Sequence, residues 1–130
     1  MTIIPAQWAP YTLAILRIMA GVMFLAHGLQ KLFSFPTAFP MGGPPAMFTL
    51  LWFAGIIELV GGTLVTIGLF TRPAAFILSG MAAFGYFYAH APRAFYPIVN
   101  GGELIALYCF VFLFIAAAGP GRFSLDGRKG

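Results

Sequence analysis

Glu58 is a carboxylate set inside an apolar run, residues 47–70, whose other members are all apolar, glycine or threonine. An ionisable side chain in lipid is costly unless it faces a protein interior and meets a partner, so it marks a functional site by default. Arg17 is similarly isolated in the earlier run 11–33 and is the natural counter-ion. With His27 nearby, such a pair could set the protonation balance of the carboxylate and serve proton exchange with a bound group. The same pair could instead be a structural lock, because removing one partner strands a charge in a low-dielectric site.

Helices must bring these residues together. At about 100° per residue, Arg17, Ala20, Gly21, Phe24, His27, Gly28 and Lys31 share one arc of a first helix. Glu58 shares a face of the second with Ala54, Gly55, Gly61 and Gly62, and these small structural residues let another backbone approach closely. At about 1.5 Å per residue, Arg17 lies roughly 9 Å, Glu58 roughly 18 Å and His27 roughly 24 Å from the end carrying the termini. Glu58 thus falls between them, within reach of a long arginine side chain. On a third helix Ser79, Ala83, Tyr86 and His90 share a face, and Glu103 opens a fourth. His27, Lys31, His90, Asn100 and Glu103 are expected to form a polar mouth at the far end, with Tyr86 as a further pocket residue. Plainer roles stand beside these: Lys31 as an interfacial anchor, Glu103 as a helix N-terminal residue favoured by the macrodipole, and the phenylalanines as core or lipid-facing groups. Two histidines at similar depth on different helices also raise haem ligation by His27 and His90, as a weaker alternative.

Composition states the solvent of these helices. The 130 residues are 61% hydrophobic and 8% charged, with a mean hydropathy of +0.94, whereas soluble domains are about a quarter charged. The runs 11–33, 47–70, 73–91 and 103–119 approach the roughly 20 residues a spanning helix needs. They predict an all-α, four-transmembrane-helix bundle forming a single domain, 1–130. The short fourth run must recruit interfacial residues or thin the bilayer locally. Pro36, Pro40, Pro44, Pro45, Pro92, Pro97 and Pro120 punctuate the runs without interrupting them. The connection Thr71-Arg72-Pro73 is short enough to make the second and third helices antiparallel neighbours, with Thr71 or Arg72 near the N-cap and Pro73 at the first helical position. Arg72, Arg122, Arg128 and Lys129 lie on the side of the termini, against Lys31 and Arg93 opposite, which places both termini in the cytoplasm. The first run is longer than a signal-peptide core and reads as a retained helix. The loops and tail account for the net charge of +4, and no basic stripe suggests nucleic acid.

No CxxC, CxxCH, dinucleotide-binding glycine fingerprint or Walker loop occurs, and no metal site is expected. Cys109 is the sole cysteine, so it makes no intrachain disulfide and reads as a small packing residue. Any electrons handled here must come from a partner chain or a bound quinone.

Arg17 with HGLQK (27–31), GIIELVGGTLVTIGLFTRPAA (55–75), GGE (101–103) and GPGRFSLD (119–126) stand in an order and spacing that resembles the DoxX family of small four-helix membrane proteins. The likeness covers nearly the whole chain. It implies an inner-membrane protein and an oxidoreductase label, with Arg17, His27, Lys31, Glu58, Arg72, Glu103, Arg122 and Asp126 as carried-over positions. Arg122 and Asp126 would pair at the membrane surface in a structural role. The resulting expectation is a quinone-linked oxidoreductase subunit with Arg17, Glu58 and His27 at its site and Tyr86, His90, Lys31 and Glu103 around its pocket; whether it is an enzyme stays open. Partners are then the lipid bilayer and either further copies or an oxidoreductase subunit. A membrane scaffold whose glycine faces pack on partner helices, and a proton-linked carrier using Glu58, remain as alternatives.

Overall fold

The computed structural model describes residues 3–37 and 44–128, and over these the chain is all helical. Pro40 and Lys129 lie outside the described residues. A turn at Ala6–Trp8 leads into α1 (Ala9–Phe33), followed by α2 (Leu50–Ile67), α3 (Thr71–Gly85), a π-helical turn (Tyr86–His90), the short α4 (Pro97–Asn100) and α5 (Glu103–Ala118). Two of these, α1 with its leading turn and α2, are long and apolar enough to cross a membrane; α5 is shorter.

Local signals explain the ends. The Thr49 hydroxyl accepts from Trp52 N–H and starts α2 three residues later than the apolar run predicts. Gly68, at φ 74°, stops it: Leu69 N–H reaches the Leu64 carbonyl at 2.9 Å and Gly68 N–H the Val65 carbonyl at 3.2 Å, the paired bonds of a Schellman motif. α3 begins at Thr71, ahead of the Pro73 start expected from sequence, because a side chain from the distant tail caps it.

α1 packs most closely on α2, and α3 on α5. The first pairing depends on glycine. A Cβ on Gly28 would lie 2.7 Å from Leu59 N, and one on Gly62 would lie 2.7 Å from Leu25 N, so the two backbones touch directly. The glycines offered to partner helices in the scaffold reading are therefore used within the chain. Gly61 serves a different neighbour, leaving room for the Leu78 side chain of α3. Phe24 joins the pairs, lying edge-on to Tyr108 at 4.9 Å and to Phe112 at 5.0 Å. Ser79 donates to the Cys109 carbonyl at 2.7 Å and ties α3 to α5. Ile15, Val60, Phe76, Ile77, Phe110 and Phe114 project outward, as helices in lipid require.

Because backbone atoms cannot step aside, Gly28→Ala and Gly62→Ala should each cost about 1–3 kcal/mol. Gly80→Ala, where a Cβ meets nothing within 4 Å, should be neutral or stabilise by up to about 1 kcal/mol. Unfolding curves of the detergent-solubilised variants test this; equal behaviour of all three would contradict the backbone contact.

Candidate functional site

The polar groups divide between the two ends of the bundle. At the end carrying the termini, Arg17 is wholly buried. Its Nη1 donates to the Pro120 carbonyl and, at 2.9 Å, to that of Arg122, while Nη2 donates to the Phe123 carbonyl at 2.8 Å. The tail is laced to its surroundings as well: Arg122 N–H reaches Pro10 O at 3.1 Å, Leu125 N–H reaches Ile67 O at 3.2 Å and Asp126 N–H reaches Gly68 O at 2.8 Å. The Asp126 carboxylate accepts from Phe70 N–H at 2.9 Å and Thr71 N–H at 2.8 Å, capping α3 at its positive end. This corrects the expected Arg122–Asp126 pair, since the Arg122 guanidinium instead lies 5.4 Å over the Tyr11 ring.

Toward the other end, Lys31 Nζ donates to Glu58 Oε1 at 2.6 Å, with the two side chains 16% and 6% exposed. The proposed Arg17–Glu58 pair is thus corrected to Lys31–Glu58, and Lys31 is more than an interfacial anchor. Side-chain direction gives the reason. Cβ atoms tilt toward a helix's N-terminus. Arg17 on α1 therefore leans toward the termini, while Glu58, on the antiparallel α2, leans away from them. Lys31, further along α1, leans back toward Glu58. Axial depth alone had favoured Arg17; the tilt reverses the choice.

Glu58 and Lys31 line a cavity of about 490 Å³ between the two helix pairs. Its other polar residues are His27, Tyr88, His90 and Tyr108. His27 Nδ1 lies 3.0 Å from the Met23 carbonyl, and the ring stacks 5.9 Å from Phe24 and stands edge-on to Tyr108 at 6.1 Å. Glu58 Oε2 and the Tyr108 hydroxyl are both buried without a hydrogen-bond partner among the described residues, a costly state for polar atoms. Leu50, Phe53, Phe84, Tyr88 and Leu104 also line the cavity while remaining largely exposed, so its rim is apolar and faces outward.

Two expected pocket residues lie elsewhere. The Tyr86 hydroxyl accepts from Asn100 Nδ2 at 3.1 Å, and Glu103 is exposed at the first position of α5. Neither lines the cavity. Asn100 is a structural organiser of this end: it donates to Ala94 O at 3.0 Å and accepts from Gly102 N–H at 2.8 Å, while its carbonyl lies 3.2 Å from His90 Nδ1. Tyr108 was missed in the sequence, although its spacing to Phe112 and Ile115 marks the buried stripe of α5.

A helical membrane protein with an ion-paired carboxylate beside an outward-opening apolar cavity is the class these features define. The chain belongs to the DoxX family, whose model matches residues 12–91. It is 43% identical over 125 residues to an uncharacterized protein of Haemophilus influenzae, covering 94% of this chain and 93% of that one. An uncharacterized membrane protein of Mycobacterium tuberculosis is 29% identical over 134 residues, covering 92% of this chain and 82% of its own. The inner membrane protein YphA of Escherichia coli is 29% identical over 133 residues, at 92% and 91% coverage. No solved structure matches.

A double-mutant cycle separates the two candidate counter-ions. Lys31→Met alone should destabilise by about 3–5 kcal/mol by stranding Glu58, and adding Glu58→Met should recover much of that loss. Arg17→Met and Glu58→Met should be additive within about 0.5 kcal/mol; strong coupling there would restore the rejected pair. Arg17→Met should also free the tail, so that trypsin cuts after Arg122 well before it cuts the parent protein.

Proposed function

We propose that the cavity holds the ring of a lipophilic quinone and that the chain is a quinone-linked subunit of a membrane oxidoreductase. The observation that carries this reading is the Glu58 carboxylate, buried beside an apolar cavity with one oxygen bonded to Lys31 and the other without a partner. Packing alone gives no reason to keep an acceptor in that state. A ring with polar oxygens and an apolar tail matches the donor and acceptor set inside and the hydrophobic rim outside. Such a ring supplies two-electron, two-proton chemistry at its oxygens.

The chain's own residues bind and orient. Lys31 fixes one oxygen of Glu58 through a charge-assisted hydrogen bond. Glu58, His27 and Tyr108 are the groups that exchange protons with a ligand oxygen. Phe24 and the aromatic rim pack the ring and exclude water. Arg17, placed in the site by sequence, acts instead on the tail. Electron delivery falls to a partner subunit, in keeping with the lack of a redox-cofactor motif in the chain.

The same reading has the four long helices, α1, α2, α3 with its π turn, and α5, cross the inner membrane as one domain with both termini cytoplasmic. The cavity then opens sideways into lipid in the outer half of the bilayer. The carrier alternative must pass protons through the opposite end, where Arg17 and the tail fill the bundle.

A photoreactive azido-quinone, applied to the protein in nanodiscs, should cross-link to Phe53, Phe84 or Tyr88 and be displaced by an unlabelled short-chain quinone. Ala54→Phe, which fills the cavity, should abolish the labelling. Labelling that maps outside the cavity, or that survives Ala54→Phe, refutes the site. A Soret band in the natively purified protein would instead favour the His27 and His90 haem alternative.

A further inference from the structure

Lys31 has more donors than its ion pair uses. An ammonium carries three N–H groups, and among the described residues the hydrogen bond it makes runs to Glu58 Oε1 at 2.6 Å. Arg17, the buried cation of the opposite end, spends its Nη groups on three backbone carbonyls. Lys31 spends one donor and keeps two, on a side chain that is 16% exposed and lines the cavity. In apolar surroundings, donors left unused are as costly as any other buried polar group without a partner.

Glu58 is less available to a ligand. Its side chain is 6% exposed, Oε1 is held by Lys31 and Oε2 is buried. The imidazoles offer acceptors: His27 Nδ1 lies 3.0 Å from the Met23 carbonyl and His90 Nδ1 lies 3.2 Å from the Asn100 carbonyl, which leaves Nε2 of each neutral ring with a lone pair. Tyr88 and Tyr108 bring neutral hydroxyls to the lining. Among the described residues around the cavity, Lys31 is thus the one charged donor, and charged donors make the shorter, stronger hydrogen bonds. We infer that Lys31 is the ligand-binding residue of the cavity: its ammonium bridges Glu58 and one oxygen of the ring, and Glu58 acts through it as a positioning residue. Proton exchange between Glu58 and the ring then runs through that ammonium. An ammonium donates alike to a carbonyl oxygen and to the lone pairs of a hydroxyl, so the contact holds the ring in either redox form.

This role rests on the cavity being the quinone site, and the test separates the two claims. Lys31 and Lys129 are the only lysines in the chain, so Lys129→Arg leaves a single lysine to label. That full-length variant, carrying nitrogen-15 in the lysine side chain, is saturated in bilayers with decyl-ubiquinone that carries carbon-13 at one ring carbonyl or the other. Dipolar-recoupling NMR should place one carbonyl carbon about 3.5–4 Å from the lysine nitrogen, the span of a hydrogen bond and a C=O bond, and the other well beyond it. Glu58→Gln, whose amide oxygen still accepts from Lys31, should keep that contact, and its loss there overturns the positioning role. Lys31→Met with Glu58→Met, which removes both charges together, should weaken quinone binding about tenfold or more. The distance measurement changes nothing at the site, so it decides the matter even where a site variant fails to fold. Saturable binding with neither carbon near the nitrogen overturns the role of Lys31 and leaves the site intact, as does undiminished affinity in the double variant. Absence of saturable binding to the parent protein overturns both.

Discussion

A buried pair of opposite charges needs a short contact to offset the desolvation of both ions, which costs several kcal/mol each. Lys31 and Glu58 meet that condition at 2.6 Å, and the rest of this half of the molecule follows from it. The two helices that carry them also meet backbone to backbone. Gly28 and Gly62 provide that approach, each lying where a Cβ would press on the backbone of the opposite helix. The glycines thus act on the site through geometry: they zip α1 to α2, the zip brings lysine to carboxylate, and the pair lets a charged acceptor line an otherwise apolar cavity.

The opposite end solves a different problem. A turn of irregular backbone at residues 120–123 has carbonyls that no helix ladder pairs. One guanidinium satisfies three of them, those of Pro120, Arg122 and Phe123, and its rigid fork of donors is suited to that task where a lysine ammonium would not be. Asp126 then satisfies the first N–H groups of α3. Among the described residues each end keeps two buried polar atoms without a hydrogen-bond partner, Arg17 Nε and Thr71 Oγ1 here and Glu58 Oε2 and the Tyr108 hydroxyl at the other, so it is the cavity that distinguishes the candidate site from this end.

The periodicities that made the helices legible in sequence also placed the arc from Arg17 to Lys31 and the inward face of Glu58. The helix ends and the partner of Glu58 were not legible in the same way. Depth along a straight axis omits the tilt of side chains toward each helix's N-terminus, and antiparallel neighbours turn that tilt into a choice of partner. The start of α3 depends on Asp126, far away in the chain, so no local signal could show it. Tyr108 was hidden for another reason. A tyrosine among phenylalanines looks like bulk until the fold shows that its hydroxyl is buried without a partner.

The cavity is also no accident of loose packing, and its position shows why. α2 and α3 are joined by only a few residues around Gly68–Phe70, and the tail cross-links that junction through Ile67, Gly68, Phe70 and Thr71. At that end the two helix pairs are pinned. At the other end, where α2 begins, α3 loosens into a π turn at Tyr86–His90, a form that recurs at functional sites. Asn100 ties the following loop back onto Tyr86 and His90 and keeps the turn in place. Hydrogen bonds from Arg17 and the tail thus tie the bundle together at one end, and the cavity beside Glu58 lies toward the other, between the two helix pairs.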